Sequence, residues 1–236
     1  MLPLLLALVG FLTAALSGVA GLGGGTILIA TLYAVGLTPA VAIPLFSVVQ
    51  FVSNLTRTLS YLRHVEWRAL GWFALTGVPT PFLVAPLVVN AEVAWIQILL
   101  GLLILISLRP TKPDHTPMGP RRAFALAGLL NGTIGMFVGA TGLFVGRLFF
   151  RPEWRKETIV GTLAATQALG HVLKVAGFAT IGFALSQHLD LLLPLVAAVI
   201  LGTLAGRRLH NRLPETTFRR LFQLILALLS TLLIIN

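Results

Sequence analysis

The chain has 236 residues, of which 57% are apolar and only 10% charged, with a formal net charge of +10 and no cysteine. Soluble domains carry about 25% charged residues, so this composition excludes an ordinary soluble domain. The apolar segments run solid rather than alternating, which argues against a transmembrane barrel, and the missing cysteines remove disulfides, thiol chemistry and thiolate metal sites.

Taken in order, the apolar segments run over 3–22, 24–36, 40–62, 69–90, 92–108, 123–137, 139–150, 157–184, 190–206 and 216–235. Several approach or exceed the ~20 residues that cross a bilayer. They predict an all-α polytopic membrane protein. The stretch Leu4 to Leu16 resembles the core of a secretory signal, but no Lys or Arg precedes Arg57. Signals normally start with a basic segment, so this stretch is expected to belong to the fold.

The breaks fall into two charge classes. Those at 63–68, 109–122, 151–156 and 207–220 are rich in Arg and Lys. Those at 37–39, 90–92 and 185–190 have neither, and Glu92 and Asp190 fall there. Most Lys and Arg sit in these short breaks, which speaks against nucleic-acid binding and places the basic breaks in the cytoplasm. Residues 123–150 must then leave the cytoplasmic side and return to it within about 28 residues, too few for two full spans. A re-entrant or short-helix hairpin, broken where glycines cluster, fits that length. The equivalent piece, 3–36, leaves and returns on the outside.

Each half thus reads as one hairpin plus three spans, an odd count that inverts the second half relative to the first. The expected organisation is a first repeat over 1–108, a cytoplasmic linker over 109–121 and an inverted second repeat over 122–236. Both termini are expected in the periplasm. Leu16-Ser17-Gly18-Val19-Ala20-Gly21 answers Leu130-Asn131-Gly132-Thr133-Ile134-Gly135, and Gln97 answers Gln223. Inverted repeats with short, glycine-interrupted segments in matching places mark secondary transporters.

Two features offer chemistry. The glycine turns are one: Gly23, Gly24, Gly25 and Thr26 in the first half, Gly139 and Thr141 in the second. Glycine lets backbone N–H groups face a ligand, and a following helix adds a positive dipole end. The bland reading is close helix packing by small residues. The other feature is a polar stripe present twice. Gln50, Asn54 and Arg57 repeat as Gln167, His171 and Lys174, with the same steps of four and three. Such steps put each trio on one helix face. A charge in a spanning helix is costly and faces a cavity or a partner, although Arg57 and Lys174 lie far enough toward the segment ends to snorkel. For the glutamines the rival reading is an interhelical hydrogen bond, and for His171 a neutral ring bonded to a neighbouring helix.

All seven carboxylates, Glu66, Glu92, Asp114, Glu153, Glu157, Asp190 and Glu215, lie in or beside breaks. A sodium site or proton relay usually uses a buried acid. No metal-ligand spacing and no nucleophile–base pair stands out, so neither a metal, a cofactor nor an enzyme is expected.

Gly18-Val19-Ala20-Gly21-Leu22-Gly23-Gly24-Gly25 and Gly132-Thr133-Ile134-Gly135-Met136-Phe137-Val138-Gly139 resemble the sulfite-exporter (TauE/SafE, TSUP) family of bacterial transporters. So do Thr76-Gly77-Val78-Pro79 and Leu201-Gly202-Thr203-Leu204-Ala205-Gly206. The chain departs from the pattern at Phe137, where a small residue is expected, and at the end of the second glycine cluster. The resemblance implies export or uptake of sulfite, thiosulfate or sulfonates across the inner membrane. The expected partners are a small anion and lipid, with no nucleic acid; a homodimer is compatible with the sequence. A passive anion channel is the rival function.

Overall fold

The computed structural model describes residues 2–20, 24–108 and 118–210, together with positions 224, 227 and 231. Gly23 and Gln223, and the breaks at 109–117 and 211–220, lie outside the described residues. The helices are α1 (Leu2–Ala20), α2 (Gly24–Ala34), α3 (Pro39–Ser60), α4 (Trp67–Gly77), α5 (Pro79–Val89), α6 (Val93–Leu108), α7 (Pro120–Gly132), α8 (Ile134–Val138), α9 (Gly142–Val145), α10 (Lys156–Ala179) and α11 (Leu189–His210). No strand occurs among the described residues. Three helices there are long and apolar enough to cross a membrane, or four if α4 and α5 are one bent span. The protein is a multi-pass helical membrane protein.

Local sequence explains where the helices start and stop. α3 opens at Pro39 after Thr38, where a locked φ and a missing N–H cost nothing. Glu157 sits in the first turn of α10, favourable against the positive end of the helix dipole. The 157–184 segment stops being helical at Ala179, because Gly182 turns to φ 95° and the Phe183 N–H reaches back to the Phe178 carbonyl at 3.1 Å.

The segment expected as one span over 69–90 is two helices, bent by 45° at Val78. Proline has no N–H and its ring crowds the preceding turn. Pro79 and Pro81 therefore withdraw the donors on either side of Thr80, whose Oγ1 donates to the Thr76 carbonyl at 2.9 Å. The 123–150 region is likewise a chain of short pieces. α7 ends at Gly132, α8 stops at Gly139 with φ 74°, and α9 runs into a single 3₁₀ turn over Gly146–Phe149. Only glycine adopts that φ without strain.

Glycine also sets the closest helix crossings, as small residues do between membrane helices. α1 lies along α11, where Gly202 and Gly206 leave room for the Phe11 and Ala15 carbonyls. α4 lies along α7, where Gly128 meets the Phe73 carbonyl, and Gly132 meets Thr80 at the start of α5. α3 and α10 pack on each other between these pairs. The main core draws on Leu28, Ile43, Phe46, Leu100, Met136 and Leu195, so α2, α3, α6, α8 and α11 share one interior. Leu4, Leu83, Leu87, Trp95, Leu193 and Leu201 are exposed. An apolar exterior of that extent is what hydrocarbon, not water, solvates.

Candidate functional site

The second polar stripe is buried in the middle of this bundle. On α10, Gln167 is 5%, His171 3% and Lys174 0% exposed. Lys174 does not snorkel. Its Nζ donates to the Gly139 carbonyl at 2.6 Å, across to the turn between α8 and α9. The positive φ of Gly139 belongs to that turn. The turn therefore offers the cation a carbonyl, while the Gly139 N–H is spent on the Gly135 carbonyl at 3.0 Å.

Thr141, at the start of α9, joins the cluster. Its hydroxyl lies 2.6 Å from Asn131 Oδ1 and 3.1 Å from Gln167 Oε1. Asn131 Nδ2, Gln167 Nε2 and His171 Nδ1 are buried with no hydrogen-bond partner. Buried polar groups are almost always paired, so three unpartnered atoms on neighbouring side chains single this cluster out from the apolar helices around it. The His171 ring stands edge-on to Phe46 of α3 at 5.5 Å. Gly135 closes the floor: a Cβ there would stand 2.6 Å from the Thr141 methyl and 3.1 Å from Lys174 Nζ.

The first stripe is arranged differently. Gln50 lays its amide over Gly25, whose Cβ position is 2.8 Å from Nε2. Asn54 turns its Nδ2 onto the Gln50 carbonyl of its own helix at 2.9 Å. Arg57 is half-buried one turn from the end of α3. Ser47, on the same stripe, is buried with an unpartnered hydroxyl. Gly24 and Gly25 are already the first residues of α2 rather than a turn ahead of it, and Thr26 is buried beside them.

The structure thus brings Gln167, His171, Lys174, Gly139 and Thr141 together and puts Gln50, Gly25 and Asn54 in a second group. Phe46, one turn before Gln50 on α3, packs against the first group: it touches His171 and faces the Gly139 Cβ position at 3.3 Å. Sequence reasoning missed Asn131 as a site residue. Its one signal was an amide in an otherwise apolar stretch. It also missed Tyr33, whose hydroxyl donates to the Phe137 carbonyl at 3.0 Å and ties α2 to α8.

A profile of the sulfite exporter TauE/SafE family matches residues 6–233. The chain belongs to the TauE/SafE family. A relative described as a probable membrane transporter protein, YjnA of Bacillus subtilis (strain 168), is 23% identical, with 93% of each chain covered. No solved structure matches the chain. Membership makes this protein a TauE/SafE membrane transporter and accounts for helices long and apolar enough to span. In this TauE/SafE chain the glycine-rich segments, Gly24–Gly25 and Gly135–Gly139, stand beside the two polar stripes.

Proposed function

We propose that the protein is a secondary transporter of small sulfur-containing anions, such as sulfite, thiosulfate or organosulfonates, across the bacterial inner membrane. The observation that carries this reading is Lys174: a fully buried amine in one cluster with the orphaned N–H donor of Asn131. Positive charge with unspent donors is complementary to an oxyanion. The family's description supports sulfite as the first candidate, and the Bacillus relative's description supports transport. Gln50, Asn54 and Arg57 form the second part of the path, with Gly24, Gly25 and Thr26 behind Gln50 and His171 beside Lys174.

The inverted-repeat organisation, with repeats over 1–108 and 122–236, is supported by the packing. α1 lies on α11 and α7 lies on α4, while α3 lies on α10. Exchanging the two halves maps the first pair onto the second and the third onto itself. The charge classes of the breaks support periplasmic termini.

A sealed site supports a carrier over an open channel. The test is counterflow in proteoliposomes. Liposomes preloaded with unlabelled sulfite should accelerate uptake of labelled sulfite. Flux with no acceleration identifies a channel, and no flux with sulfite, thiosulfate or taurine overturns the anion reading.

A further inference from the structure

We infer that Asn131 binds the substrate directly, its amide nitrogen donating to the sulfur-bound oxygens of the anion, with Thr141 as the residue that aims it. This deepens the anion-transport reading and rests on it.

The Thr141 hydroxyl has one proton but faces two carboxamide oxygens, so it donates to one of them only. The lengths decide which. The 2.6 Å contact to Asn131 is an O–H to oxygen distance, whereas the 3.1 Å contact to Gln167 suits an amide N–H donor. Oxygen and nitrogen of a carboxamide are assigned from the network rather than seen. Turning the Gln167 amide over gives a consistent chain: Gln167 N–H donates to Thr141, and Thr141 O–H donates to Asn131 Oδ1. Chains of this kind polarise each bond in turn.

The chain ends at Asn131 Nδ2. Asn131 is 1% exposed and that nitrogen has no partner. It lies against Gly170, where a Cβ would collide with it. Gln167, Gly170, His171 and Lys174 follow one another by three, one and three residues, a single face of α10. The free amide of Asn131 therefore enters that face from α7, between the glutamine and the lysine. A residue serving only to hold α7 to α10 would donate to an α10 acceptor. This one stops short of any acceptor, at a position where an oxyanion held by Lys174 would supply one.

The test is sulfite, thiosulfate and ethanesulfonate binding to the detergent-solubilised full chain by titration calorimetry, with the unfolding temperature measured without ligand. The variants are Asn131→Leu, Asn131→Ser and Lys174→Gln. Losing one hydrogen bond to an anion should weaken binding about tenfold or more. Both Asn131 variants are expected to show that loss for all three anions, which share the sulfur–oxygen end. If Asn131→Leu does not fold, the smaller serine decides. Unchanged affinity in the folded Asn131 variants, with binding lost in Lys174→Gln, overturns the role of Asn131 and leaves the anion site standing. Failure of the unsubstituted protein to bind any of the three overturns both.

Discussion

Lys174 has three N–H donors and gives one of them to Gly139 at 2.6 Å. A cation held this way inside apolar helices is costly unless its charge is used. Lys174→Gln is therefore expected to cut anion uptake roughly 30-fold or more, as truncating one member of a buried charge pair does. Arg57→Ala should weaken uptake less, since Arg57 is only half-buried near the end of α3. Proteoliposome uptake rates check both, and normal rates in the two variants would reject the assignment. Gly135→Ala tests the floor of the site. Its Cβ would stand 2.6 Å from the Thr141 methyl and 3.1 Å from Lys174 Nζ, so Thr141 must shift and both uptake and the unfolding temperature should fall. The spacing of Gln167, His171 and Lys174 made their shared face legible in the sequence. Asn131 was not legible as part of the site, because its meaning depends on Thr141 and Gly170, which only the tertiary structure brings to it.

Helix positions were largely legible because solid apolar runs separated by charged breaks admit few arrangements in a bilayer. The bend between α4 and α5 was not, although Pro79 and Pro81 were its signal. Apolar length alone cannot tell a straight span from a broken one, since neighbours and hydroxyls re-satisfy the freed backbone. Just before the bend, the Thr76 hydroxyl donates to the Ala125 carbonyl of α7 at 2.6 Å. That bond and the Gly128 crossing lock α4 to α7. Gly128→Ala would drive a methyl into the Phe73 backbone and should destabilise the protein by about 1–3 kcal/mol, as overpacking does. Gly71→Ala is the matched control, because its Cβ would meet nothing within 4 Å. Thermal unfolding in detergent should separate the two variants, and equal unfolding temperatures would count against the crossing.

For the whole molecule, the charge pattern predicts sidedness and energetics together. A reporter active only in the cytoplasm, fused after Asn236, should be silent, and an active one would reverse the expected topology. All seven carboxylates lie in or beside breaks, so anion flux should persist when potassium replaces sodium outside the proteoliposomes. Collapse of flux on that replacement would require a sodium site built from backbone carbonyls. The complete enclosure of Lys174 has a consequence for chemical reagents. Its amine is reachable only while the helices around it are parted, whereas exposed Lys156 in the basic break is open at all times. An amine-modifying reagent should therefore label Lys156 at once and Lys174 slowly, and the ratio of the two rates is a clock for how often the transporter opens.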